Sequence, residues 1–182
     1  RPLPLDLAAA GSCDKIKSLL SAEKPDIRYL VNAAGFGKVG KYCDITDEET
    51  HGMIDVNITA LVDVTLACLP FMGRGSRLFE IASCAAFQPL PSLNVYAATK
   101  AFVLSYTRSL RWELRGRGMH VTAVCPSWIK TEFISVAKDT QNSDAVKHFF
   151  LPMPAKFIAR AALLGNKLGL AVVTCAPQTF IH

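Results

Sequence analysis

Four short apolar runs constrain this chain most. Residues 27–31, 77–83, 120–125 and 170–174 each have the length and content of a buried strand. Between them, at 12–21, 50–72, 94–116 and 154–165, apolar residues recur at helical spacing. A strand followed by a helix rather than a tight turn pairs in parallel with the next strand through a right-handed crossover. The pattern predicts an α/β fold, a doubly wound parallel sheet with helices on its faces. Residues 1–6 read as the tail of a further strand, ending in Asp6. A length of 182 residues suffices for one domain with a sizeable core, and 51% apolar against 19% charged residues fits a well-buried sheet.

Local signals fix the helix ends. Ser12 reads as an N-cap, Ile16, Leu19 and Leu20 as the apolar face behind it, and Pro25 and Asp26 as the stop. Thr46-x-x-Glu49 is a capping-box pattern. The helix after it is apolar around most of its girth, from Met53 to Leu69, and is expected to be covered on most sides. Asn57 is its polar exception, between Ile54 and Leu61. A buried amide has to be hydrogen-bonded, whether it mends a kink or serves chemistry.

Open α/β sheets bind ligands beyond the C-terminal ends of their strands. There the run 77–83 ends in Ser83, a proline-bearing loop follows, and Tyr96-x-x-x-Lys100 opens a helix. Spacing of four puts Tyr96 and Lys100 on one face. An ammonium near a phenol favours the phenolate, so Tyr96 is expected to ionise below its ordinary value of about 10. Tyr96 would then serve as a general acid and base, with Ser83 holding the oxygen being protonated. By itself Tyr-x-x-x-Lys is common and more often marks an ordinary amphipathic face. In Asn32-Ala33-Ala34-Gly35-Phe36-Gly37, small residues after a strand let a flat cofactor approach the backbone; a plain glycine turn is the alternative.

In order and spacing, Ser83, Tyr96, Lys100, Asn57 and the 32–35 segment resemble the short-chain dehydrogenase/reductase family over nearly the whole chain. The resemblance implies a Rossmann-like sheet, NAD or NADP as cofactor, and hydride transfer to or from a small-molecule carbonyl or secondary alcohol. It implies that Lys100 also holds the nicotinamide ribose, and that Asn57 holds a water linking Lys100 to solvent. Asn32, Ala33, Ala34 and Gly35 would steady the sheet and touch the adenosine side, with Ala33 where Asn is more usual. Asp6 and Leu7 resemble the adenine-contacting acid and its neighbour. Backbone groups of Pro126, Ser127 and Ile129 would hold the carboxamide and Thr131 would reach the cofactor; Ser127 replaces the usual glycine. Residues 132–150 correspond to the substrate lid, or else form a plain surface helix. Helices 50–72 and 94–116 commonly pair across a two-fold axis, so a homodimer or homotetramer is expected.

The family's glycine-rich turn, which holds the pyrophosphate at a helix N-terminus, is not in this sequence. A single, N-terminally truncated Rossmann-type domain over 1–182 is therefore expected, with one edge of the 27–31 strand bare and weak dinucleotide binding. A non-catalytic scaffold that keeps the fold is the alternative. The net charge of +5 is modest and does not call for nucleic acid. Arg108, Arg111, Arg115 and Arg117 cluster at one helix end, where cations suit the dipole. Six scattered cysteines form no metal or disulfide pattern, and four sit in apolar runs as core thiols. No run reaches the length of a membrane span and no leader pattern opens the chain, so a metal-free cytoplasmic protein is expected.

Overall fold

The computed structural model describes residues 1–140 and 152–175. Among them, strands β1 (Tyr29–Asn32), β2 (Arg77–Ile81), β3 (His120–Cys125) and β4 (Val172–Thr174) form one parallel sheet in the order β1-β2-β3-β4. The helices are α1 (Ser12–Glu23), α2 (Asp47–Ile54), α3 (Leu61–Cys68), α4 (Asn94–Glu113), α5 (Phe133–Lys138) and α6 (Ala155–Lys167). Strand–helix alternation thus produces the doubly wound parallel arrangement expected.

Period-two alternation on β2 divides the core. Leu78 meets Leu110 of α4 and Leu114 just after it, together with Cys68, Leu69 and Met72, on one face. Phe79 meets Ile158 and Ala162 of α6 on the other. Strand β1 has β2 as its neighbour on one side, and among the described residues no strand pairs with its other edge. Tyr29 and Val31 stay 59% and 55% exposed there.

Several expectations need correction. Residues 1–6 form no strand. Pro2 and Pro4 cannot donate to a ladder, and Asp6 instead heads a turn: its carbonyl takes the Ala9 N–H and the Ser12 hydroxyl. Ser12 is therefore the first residue of α1 rather than its cap, which is Gly11.

The helix beginning at the Thr46–Glu49 capping box holds both reciprocal hydrogen bonds. It then widens into a π turn at Asp55–Ala60, continues as α3 and tightens into a 3₁₀ turn at Leu69–Phe71. The whole stretch Asp47–Phe71 has 25 residues and is long and apolar enough to meet the size and composition of a membrane span, contrary to the expectation that no run is. Nor is it covered on most sides. Met53, Leu61 and Cys68 face the core, while Ile54 and Leu66 face outward. Leu69 and Met72 offer their carbonyls to Arg117 Nη2 at 2.9 and 2.7 Å. Arg117 thus closes the end of this neighbouring helix rather than its own. Of the thiols, Cys68 and Cys125 are buried, Cys13, Cys84 and Cys175 are partly buried, and Cys43 is exposed, so two rather than four are core thiols.

Candidate active site

Strand β2 delivers Ser83 to the C-terminal edge of the sheet. There Ser83 caps a 3₁₀ turn, Cys84–Phe87, and its Oγ accepts from the Ala85 N–H at 3.1 Å. Ser83 lies near the Tyr96 phenol, on the wall of the same cleft, and acts to favour its ionised form. Tyr96 lies in the first turn of α4 and is buried. Phe133 of α5 packs on its ring, with centroids 5.4 Å apart.

One turn on, Lys100 is 4% exposed; its Nζ donates to the Ile81 carbonyl at 2.8 Å and lies 5.9 Å from the Tyr96 ring centroid. The spacing therefore brings Ser83, Tyr96 and Lys100 together as expected. The expected electrostatics do not follow. Burial pushes the Tyr96 phenol up to about 12, and neighbouring Ser83 offsets only part of that. Burial likewise draws Lys100 down to about 8, against the pull of Cys125 and Glu80. The ammonium spends its hydrogen bond on a backbone carbonyl and does not offset desolvation of the phenol.

Asn57 is fully buried, and its amide is already engaged. Oδ1 accepts from the Phe36 N–H at 3.0 Å; Nδ2 donates to the Phe36 carbonyl at 2.9 Å and to Thr99 Oγ1 at 3.0 Å. It staples the 33–37 loop to α4 from inside the π turn, a helix irregularity often found at functional sites. The glycines of that loop serve this packing. A Cβ at Gly35 would stand 2.7 Å from Asn57 Oδ1 and 3.3 Å from Lys100 Nζ. One at Gly37 would stand 2.7 Å from Tyr96 Cδ2. Gly37 thus admits the tyrosine ring, a role that its reading as part of a cofactor approach did not include.

A cleft of ≈ 1810 Å³ opens in front of these groups. Ala33, Gly35, Ser83, Tyr96, Lys100, Pro126, Ser127, Ile129 and Thr131 all line it. Asp6, Leu7, Asn32, Ala34 and Asn57 do not. Asn32 points instead to Thr65 Oγ1 at 2.7 Å and Glu80 Oε1 at 3.1 Å. Apolar side chains, among them Phe87, Leu90, Trp128 and Phe133, form much of the wall. The cleft exceeds the usual ligand pocket of about 300–1,000 Å³ because it runs on past Tyr29 and Val31 along the uncovered sheet face.

Of the segment 132–150 read as a lid, residues 141–150 lie outside the described residues. Its first part is α5, whose Phe133 and Val136 line the cleft and whose C-terminal end is tied to the 38–39 segment. Lys38 Nζ donates to the Asp139 carbonyl at 2.7 Å and pairs with Glu49 at 3.1 Å, while the Val39 N–H donates to the Ala137 carbonyl at 2.8 Å. Sequence reasoning missed Lys38 and Phe133, and it missed Glu80, a lone acid within the apolar run of β2. That isolation was the available signal, since an acid is almost never fully buried without a partner.

An open parallel α/β sheet with Ser, Tyr and Lys grouped at its C-terminal edge defines a dinucleotide-fold class. Residues 1–159 match the family model described as enoyl-(acyl carrier protein) reductase. The chain is 37% identical over 139 residues to sulfoacetaldehyde reductase 2 of Chromohalobacter salexigens, covering 73% of this chain and 55% of that protein. To sulfoacetaldehyde reductase of the same organism it is 34% identical over 163 residues, covering 86% and 64%. Among solved structures, a short-chain dehydrogenase from Sphingobium yanoikuyae in complex with NADPH superposes with a TM-score of 0.79 at 29% identity, covering 93% of this chain and 64% of that one. A Francisella tularensis short-chain dehydrogenase family protein, at TM-score 0.84 and 14% identity, covers 99% and 81% and shows the same fold. The chain belongs to the short-chain dehydrogenase/reductase family. It spans 55% and 64% of the length of the two curated relatives named above.

Proposed function

We propose that residues 1–182 are one Rossmann-type unit of an NAD(P)-dependent oxidoreductase that interconverts a carbonyl and a secondary alcohol. The observation that carries this reading is the grouping of Ser83, Tyr96 and Lys100 on the wall of one apolar cleft, with Lys100 Nζ 5.9 Å from the Tyr96 ring centroid. The NADPH held by the Sphingobium relative supports the choice of cofactor class.

The residues present fit part of such a cofactor. Gly35 has no side chain where Lys100 Nζ and Asn57 Oδ1 approach, and the 126–131 loop lines the same cleft. Lys100 and that loop would hold the nicotinamide side. No glycine-rich phosphate turn stands in this sequence, so pyrophosphate contacts are not among those this chain supplies. A bound nicotinamide supplies or accepts the hydride.

The chain's own residues handle the proton. Ser83 holds the substrate oxygen, and Tyr96 gives a proton to it during reduction or takes one during oxidation. A phenol pushed up to about 12 is fully protonated at neutral pH, which suits the reducing direction. Apolar walls keep water from the reacting oxygen. Pairing of two copies through the outward sides of α3 and α4, at Leu66, Phe102 and Trp112, is part of the same reading.

The test is carbonyl-dependent oxidation of NADH and NADPH, with dinucleotide binding followed separately by fluorescence titration. Tyr96→Phe is expected to abolish turnover and retain binding. Turnover that survives this substitution removes Tyr96 from the acid role. Dinucleotide binding by the wild-type protein without turnover on any aldehyde or ketone favours the non-catalytic scaffold.

A further inference from the structure

Glu80 is an acid that the proposed chemistry does not use. It lies on β2, fully buried, in register with Asn32 of β1. Its Oε1 accepts from Asn32 Nδ2 at 3.1 Å and from Thr65 Oγ1 of α3 at 2.8 Å. Its Oε2 has no hydrogen-bond partner among the described residues. The carbonyl of the very next residue, Ile81, holds Lys100 Nζ. The acid thus stands on β2 one residue before the carbonyl that holds the ammonium, and both are buried.

A carboxyl removed from water with one free oxygen is costly as an anion unless a cation shares its surroundings. The titratable groups that face it are Lys100 and Tyr106, both on α4; Asn32 and Thr65 face it uncharged from β1 and α3. Tyr106 carries a buried hydroxyl that is also without a hydrogen-bond partner among the described residues. Cys125 of β3 acts on Lys100 too, but burial holds that thiol protonated, up to about 12. Glu80 is therefore the group in this set that supplies negative charge near neutral pH, its carboxyl being pushed up by burial only to about 7.

We propose that Glu80 is a positioning residue for the Tyr96–Lys100 pair: its buried carboxylate, clamped by Asn32 and Thr65, is the internal counter-charge that keeps Lys100 an ammonium. Lys100 comes from α4 and Glu80 from the middle of the sheet, so the coupling joins the helix bearing the phenol to the strand that delivers Ser83. As pH rises past neutrality, the carboxyl ionises and strengthens the hold on the ammonium proton. Without it, the buried amine faces its desolvation uncompensated.

The inference rests on the reading of Lys100 as a cation of the proposed site, but its test needs neither substrate nor dinucleotide. Glu80→Gln keeps an acceptor for Asn32 and Thr65 and removes the charge. In protein labelled with ¹³C-lysine, with the Lys100 resonance assigned by its loss in Lys100→Met, the Lys100 titration midpoint is followed. The expected result is roughly tenfold weaker proton binding at Lys100 in Glu80→Gln. An unchanged midpoint in a folded variant overturns the proposal. If Glu80→Gln does not fold, the reciprocal measurement decides. Coupling free energies are symmetric, so Lys100→Met must raise the Glu80 carboxyl midpoint read by ¹³C-glutamate labelling, and an unmoved midpoint again overturns the proposal. Failure here leaves the assignment of Tyr96 standing. Failure of the Tyr96→Phe test leaves this coupling measurable as it is.

Discussion

Gly37→Ala isolates the contact that seats the candidate acid. The backbone at Gly37 is not in the left-handed region, so alanine brings no conformational penalty of that kind and the effect is steric. The added Cβ would lie 2.7 Å from Tyr96 Cδ2, 3.0 Å from Tyr96 Cγ and 3.1 Å from Phe133 Cζ. Comfortable carbon contacts need about 3.5–4.0 Å, so ring and loop must separate by about 1 Å. Neither ring yields as a flexible chain end would, because Tyr96 is buried and Phe133 is packed against it. Overpacking of this kind costs about 1–3 kcal/mol. For a chain of this size, that lowers the thermal midpoint by about 2–12 °C. Moving the phenol by about 1 Å relative to Ser83 costs on the order of 100-fold in turnover. The assays are thermal unfolding by circular dichroism and NAD(P)H oxidation with a carbonyl substrate. An unchanged midpoint together with unchanged turnover would refute the claim that this glycine makes room for the ring. Lost stability with intact turnover would detach Tyr96's position from the chemistry.

Two further predictions use other parts of the molecule. Arg117→Ala removes the donor to the Leu69 and Met72 carbonyls and should cost about 1.5–3 kcal/mol in urea unfolding. Arg117→Lys should recover only part of this, since an ammonium lacks the planar fork. The buried titrating groups predict opposite pH slopes. Glu80 is raised from 4.5 to about 7, so the native state binds the extra proton in that window. Its contribution to stability is present below 4.5 and is lost as pH rises through about 7. Lys100 is lowered from 10.5 to about 8, so the unfolded chain binds more protons there and stability climbs with pH across that window. Unfolding free energies of the wild type minus Glu80→Gln should fall over the acid window, and those of the wild type minus Lys100→Met should rise over the alkaline one. A flat difference in either window contradicts the corresponding burial.

The contrast between what the residues announced and what they concealed has one physical source. Strand β3 and the Thr46–Glu49 capping box were legible because their signals are local: a run of apolar residues, or a hydroxyl three positions before an acid. The grouping of Ser83, Tyr96 and Lys100 was legible for the same reason, since a strand end and a helical repeat of four fix it almost unaided. Depth is not local. Spacing places an ammonium near a phenol, yet whether the phenol ionises early or late depends on how much water the fold leaves it, and that is set by Phe133 and Gly37 from distant parts of the chain. The same applies to Glu80. Its one-letter neighbourhood marks it as an oddity, but its meaning comes from Asn32, Thr65 and Lys100, which lie 48, 15 and 20 positions away along the chain, the last held at the Ile81 carbonyl. Desolvation therefore governs both members of the Tyr96–Lys100 pair in the same sense, favouring the neutral form of each. A site with two groups so disposed needs a third, buried charge if the ammonium is to persist above neutral pH, and the sheet holds one candidate beside it.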